Sequence, residues 1–245
     1  VDGASDVLAS WVERSPSAER PGEPRMGNLG GGSDHVGFYC HLGIPSAGLG
    51  AGGAEGTADH SLHDNLHWNR RTVGDDYKPA VLVTQVTGIV AARLADAPLV
   101  PLNAARYAVD IRTHLEDLRK RAERAGVTFD AAPLLTAADR FESRAAEFEQ
   151  RIGRSLESGE LDAARPAPIN NGAGLPERPW YRNIFAATDP DSGYAAWMLP
   201  MIRHAVERRD PAAVNAAIDR CVEAFAQLEQ MLGAMEAVLG APSRD

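Results

Sequence analysis

Hydrophobic positions in the second half of the chain recur in alternating steps of four and three. Ala104, Ala108, Ile111, Leu115, Leu118 and Ala122 form one row. Leu134, Ala138, Phe141, Ala145, Phe148 and Ile152 form another, and Val214, Ile218, Cys221, Phe225, Leu228, Leu232, Met235 and Leu239 the longest. At a helical period each row lies along one face of a helix. Asp210 followed by Pro211 predicts where the last helix begins, because a carboxylate can accept a free N–H of the first turn and proline suits the first helical position. Seams of this kind pack helices together, so an intrachain bundle is expected, with a two-chain coiled coil as the competing use of the same repeat.

The pattern changes near residues 98–101; upstream, Gly and His are concentrated. There the sequence predicts a short helix over 5–14 and a loop over 16–32. A second helix is predicted over 35–42, with Asp34 as N-cap and Gly43 as its stop. A short strand is expected over 44–50 and a flexible Gly-rich run over 50–57. Residues 77–95 are apolar on most faces, which predicts a buried helix. Too few strands alternate here to close a sheet, so this part reads as the edge of a larger α/β unit. The fold expected is α-rich: an α/β edge followed by a helical bundle. Such an edge exposes apolar surface, so residues 1–97 are expected to behave poorly alone. The chain opens on Val1 with no secretory-signal pattern after it, and is expected to be a fragment or processed product.

Charge narrows the partners. The net charge of −9 and the absence of an unopposed Lys/Arg cluster argue against nucleic acid or an anionic membrane surface. The longest apolar run, 80–95, is interrupted by Thr84, Gln85, Thr87 and Arg93. It falls short of the roughly 20 apolar residues that span a bilayer, so no transmembrane segment is expected. Cys40 and Cys221 are far apart and form no C-x-x-C, which predicts two buried, unpaired thiols.

Candidate chemistry is concentrated in Asp59-His60-Ser61-Leu62-His63-Asp64-Asn65-Leu66-His67. Neutral imidazole is a common zinc ligand, and a carboxylate such as Asp64 can orient it by accepting its other N–H. H-x-x-H alone leaves metal binding by His60 or His63 and solvated loop histidines both open, since a tetrahedral site needs three or four ligands. Gly48 to Gly53 match G-x-G-x-x-G, but no helix signal follows to complete a phosphate cradle. Ser33, His60 and Asp64 could be assembled into a triad, yet no nucleophile elbow surrounds any serine.

Several separated motifs carry a resemblance. Ser10-Trp11-Val12-Glu13-Arg14-Ser15-Pro16, Pro24-Arg25, Leu29-Gly30-Gly31-Gly32-Ser33-Asp34-His35 and Leu42-Gly43-Ile44-Pro45-Ser46 occur in one order. His60-Ser61-Leu62-His63-Asp64 follows, and then Gly174-Leu175-Pro176-Glu177-Arg178-Pro179-Trp180-Tyr181-Arg182-Asn183 with Tyr194-Ala195 and Leu199-Pro200. Spacing and order resemble the transferrin-receptor-like family of zinc exopeptidases that includes glutamate carboxypeptidase II. The resemblance covers nearly the whole chain. It divides the chain into residues 1–100, the incomplete C-terminal portion of a zinc peptidase domain, and residues 101–245, a helical dimerisation domain.

The resemblance implies a peptidase with two zinc ions and a glutamate general base, acting on a peptide substrate as a homodimer. It places no catalytic residue in this chain, because the base and most ligands match positions upstream of Val1. His60 would be the one metal ligand and Asp64 its supporting carboxylate; Gly32, Ser33, Asp59 and Tyr194 would face substrate. The chain alone would then be inactive. A lysine that grips a terminal glutamate in the family falls on Gly193, a tyrosine on Asp59, and an arginine patch within 47–53. Losing those donors argues against glutamate specificity and for a broader amino- or carboxypeptidase. The alternative is a non-catalytic receptor or dimerisation module. No motif fixes a compartment; the resemblance alone implies an extracytoplasmic setting.

Overall fold

The apolar rows become the seams of a helical bundle. In the computed structural model, which describes residues 6–51, 58–97, 100–158 and 172–239, they lie on α4 (Arg106–Ala125), α5 (Ala132–Ser158) and α7 (Pro211–Leu239). Every row position is buried except half-buried Ala104 and Leu239, whose side chain lies outside the described residues. α5 packs along α7, α4 lies against α5, and a short α6 (Pro200–Glu207) fits against α4 and α7. The repeat is therefore satisfied within one chain. Asp210 caps α7, its Oδ1 accepting from Ala213 N at 3.0 Å, with Pro211 at the first helical position. α4 stops at Gly126, whose φ of 70° lets Gly126 and Val127 turn back on the last helical carbonyls.

Charged groups flank these seams. Arg112 of α4 pairs with Asp139 and Glu142 of α5; Arg140 pairs with Glu229 at 2.7 Å, and Arg144 with Glu236, joining α5 to α7. These pairs lie at the rim of the bundle, partly open to solvent, so each contributes on the order of 1 kcal/mol, and burial of the apolar seams dominates.

Between α5 and α6 the chain forms an antiparallel hairpin, β1 (Ala186–Thr188) and β2 (Ala196–Met198), with Ala187 opposite Trp197. No periodicity signals strands this short. The upstream region holds α1 (Val7–Arg14), a π-helix (Gly37–Leu42), α2 (Leu66–Thr72) and α3 (Lys78–Asp96).

Three expectations are corrected here. The second helix widens into a π-helix; no side-chain cap forms at its start, Val36 N donates to Ser33 O, and Gly43 ends it with φ 73° as foreseen. Residues 44–50 form no strand, having no extended partner beside them among the described residues. α3 forms, but none of its residues is buried: Val81, Ile89, Val90 and Leu94 are 39–55% exposed, because no described element packs closely on it. Most of the 50–57 run lies outside the described residues. Both cysteines are free and buried; burial pushes the Cys40 thiol up to about 11 and Cys221 to about 12, so neither is a thiolate near neutrality.

The π-helix is bolted to the hairpin by the 180–183 segment. Cys40 O accepts from Arg182 N at 2.8 Å and Asn183 N at 2.9 Å, filling a carbonyl that a helix end leaves free. Asn183, 8% exposed, sends Nδ2 to Tyr39 O at 3.0 Å while its Oδ1 accepts from Phe185 N and Ala186 N at 2.9 and 3.3 Å. His41 stacks on Trp180 and donates Nδ1–H to its carbonyl at 2.6 Å. Asn183→Ala removes three side-chain bonds at a largely buried site. At roughly 1 kcal/mol per bond it is expected to lower stability by about 2–3 kcal/mol. A urea midpoint within error of wild type would refute this.

Candidate functional site

Residues 30–32 form a glycine arm that runs against the tip of the hairpin. Gly31 N donates to Tyr194 O at 2.6 Å. The approach is possible only without side chains: a Cβ on Gly30 would lie 1.9 Å from Tyr194 O, and one on Gly31 1.7 Å from Gly193 O. At Gly32, with φ 85°, a Cβ would fall 2.6 Å from ring atoms of Tyr194. His35 closes the arm, its Nε2 donating to Gly30 O at 2.8 Å. Gly32 and Tyr194, named separately from sequence, thus touch. Ser33 follows on the exposed side of the arm, and Tyr194 is 58% exposed.

The hairpin is held from beneath by Arg178. Its Nη1 donates to Thr188 O at 2.7 Å and its Nη2 to Thr188 Oγ1 at 3.1 Å. The guanidinium lies 3.9 Å over the Tyr181 ring, whose hydroxyl is 2.8 Å from the same Thr188 oxygen. At the tip, Asp189 Oδ2 accepts from Ser192 N at 2.7 Å, and Oδ1 accepts from Ser192 Oγ and Ala195 N, each at 2.8 Å. Donation from Ser192 N, then from its hydroxyl, holds the Asp189 carboxyl down at about 2. Because this value lies below the unfolded one, the turn keeps the full benefit above the ordinary aspartate range and loses it as pH falls through about 2.

The His60 segment is a separate, exposed turn. His60 itself adopts φ 57°, and its Nε2 lies 4.0 Å from Asp59 Oδ1. Ser61 Oγ donates to Ala58 O at 2.6 Å and accepts from His63 N at 3.1 Å, while Asp64 N donates to Ser61 O at 3.1 Å. The carboxylate beside His60 is therefore that of Asp59, and Asp64 closes the turn through its backbone. His60 makes no hydrogen bond or ion pair to Gly32, Ser33 or Tyr194. Among the described residues no three His, Cys, Asp or Glu side chains are placed to hold a metal ion. The described donors do not fit a zinc ion on their own: His60, His63 and His67 are exposed imidazoles that are not brought together on one site.

Sequence reading missed a cavity of about 220 Å³ between the upstream loop and α4, where Tyr39, Arg106, Asp110 and His114 meet. Arg106 pairs with Asp110 at 3.3 Å, and burial lowers the His114 imidazole and raises the Tyr39 phenol to about 12. Its lining comes from several segments, so no local pattern could have announced it.

Residues 129–233 match the family model described as the transferrin receptor-like dimerisation domain. Over 207 residues the chain is 27% identical to a probable glutamate carboxypeptidase, LAMP1, of Arabidopsis thaliana, covering 82% of this chain and 29% of that protein. It is 28% identical over 219 residues to a probable glutamate carboxypeptidase of Arthroderma benhamiae, with 82% and 29% covered. Against aminopeptidase NAALADL1 of Rattus norvegicus it is 26% identical over 225 residues, with 85% and 29% covered. The chain thus spans under a third of the length of these relatives. No helix among the described residues is long and apolar enough to cross a membrane.

Proposed function

Because the chain belongs to the transferrin-receptor-like peptidase family, we propose that it is the C-terminal part of an exopeptidase that hydrolyses peptides from one end, with zinc as its metal. In this reading the glycine arm and Tyr194 form one wall of the substrate cleft. Backbone N–H and C=O groups there can orient a peptide, and the exposed phenol can stack on or donate to it. His60 is one zinc ligand, and the remaining ligands and the general base lie outside this chain. The chain alone is then inactive. The bundle provides the surface of a homodimer. With Gly193 at the hairpin tip, and Asp59 in the separate His60 turn, neither position offers a cation for a terminal glutamate, which favours a broader specificity.

The observation that carries the reading is the contact of the glycine arm with Tyr194, which joins two segments far apart in sequence that the resemblance assigns to substrate. The test is zinc content and dipeptide hydrolysis of the full-length gene product, wild type against His60→Ala. Joint loss of metal and hydrolysis in the variant is the expected result. A wild-type protein that binds no zinc and cleaves neither free nor end-blocked dipeptides would instead be a non-catalytic dimerisation module.

A further inference from the structure

We infer that Asp189 is a positioning residue, whose carboxylate locks the 189–195 turn so that Tyr194 stays seated on the glycine arm. As a statement about substrate binding, this rests on the reading of Tyr194 given above.

Little else holds the turn. A Cβ on Gly193 would meet nothing within 4 Å and the Tyr194 side chain is mostly solvated, so apart from the glycine arm itself no packing fixes the tip. Hydrogen bonds do, and they converge on Asp189. Its Oδ1 accepts a hydrogen bond from Ser192 Oγ at 2.8 Å, and Ser192 Oγ in turn accepts from Tyr194 N at 3.1 Å. The same oxygen takes Ala195 N, so one carboxylate restrains the residue after Tyr194 directly and Tyr194 itself through a single hydroxyl. Tyr194 O, fixed in this way, receives Gly31 N at 2.6 Å. Without the carboxylate the turn keeps Asp189 N to Ala195 O, a long Gly193 N to Asp189 O bond of 3.2 Å and Tyr194 N to a Ser192 hydroxyl that has lost its own anchor. The donated hydrogen bonds that lower the Asp189 pKa to about 2 keep the carboxylate ionised near neutrality, so the lock is not switched there.

Two measurements decide the matter. Amide hydrogen exchange on the whole chain reads the Gly31 N–H, whose partner is Tyr194 O. In Asp189→Ala its exchange is expected to rise roughly tenfold or more, and in Asp189→Asn, which can keep one acceptor oxygen, by a smaller factor. Buried amides of α5 and α7 should be unchanged in both. In the full-length enzyme, Asp189→Ala should raise KM for a dipeptide roughly tenfold while kcat stays within about threefold. Unchanged Gly31 exchange, or equal acceleration throughout the bundle, would overturn the inference. If the exchange result holds but wild type hydrolyses no peptide, the positioning role stands and the peptidase reading fails.

Discussion

Gly31→Ala is expected to detach the glycine arm from the hairpin and lower stability by about 3 kcal/mol or more. The added methyl would lie 1.7 Å from Gly193 O, 2.8 Å from Thr188 Cγ2 and 2.9 Å from Gly193 C. Two of these atoms are backbone, and the third belongs to a threonine that is 1% exposed and held through its oxygens by Arg178 and Tyr181. No rotamer change relieves such a clash, so the arm must move and the Gly31 to Tyr194 bond must break. Overpacking of this kind costs about 1–3 kcal/mol even where neighbours yield, and the lost bond adds about 1. Gly27→Ala is the control: a Cβ there meets nothing within 4 Å, and Gly27, like Gly31, has no positive φ, so its stability should stay within about 0.5 kcal/mol of wild type. Thermal unfolding of the two variants separates the outcomes. Similar behaviour of both would mean that the arm is not seated as described.

The parts of this molecule that sequence made legible are those where one helix face is buried and the other wet. α4, α5 and α7 meet that condition, and the steps of four and three pick out most of their buried residues, missing the small Ala137, Ala217 and Ala224 beside the seams. α3 shows the limit of the method. Its apolar faces signal burial, yet the signal says only that something should cover the helix, not that the cover lies within these residues. The hairpin is too short to show a period of two, and six residues such as Gly37 to Leu42 cannot announce a π-helix over an α-helix. At the site, Gly32 and Tyr194 were named by resemblance, but their contact depends on three consecutive residues without Cβ atoms meeting a hairpin tip far along the chain. Asp189 was within reach of local reasoning. Asp-Pro-Asp-Ser-Gly is a cluster of turn formers, and aspartate at its head is the residue that gathers the free N–H groups of a turn.

Phe225→Ala is expected to destabilise the bundle by about 3–5 kcal/mol, the range for removing a fully buried aromatic ring. Phe225 has no exposed surface and stands where α7 meets both α5 and the hairpin. Its ring lies 5.2 Å from that of Phe141, tilted by 47°, and 6.3 Å from that of Phe185 at 72°. The second pair sets the edge of one ring to the face of the next and the first is tilted between stacked and edge-on, contacts that add to what burial alone contributes. Collapse into the vacated space is restricted on two sides. Phe141, also fully buried, is fixed by the α5 seam, and Phe185 is tied to Asn183 through its backbone and leans on Tyr107 at 4.9 Å. A cavity that cannot close is the expensive kind. Because Phe185 leads into β1, the loss should extend beyond the bundle and loosen the hairpin that carries Tyr194. Phe225→Leu, which retains most of the volume, should cost less than half as much. Urea denaturation of both variants, with the slope of the transition checked for constancy, measures the difference. A Phe225→Ala change below about 1 kcal/mol would mean that the three rings do not form the joint between bundle and hairpin.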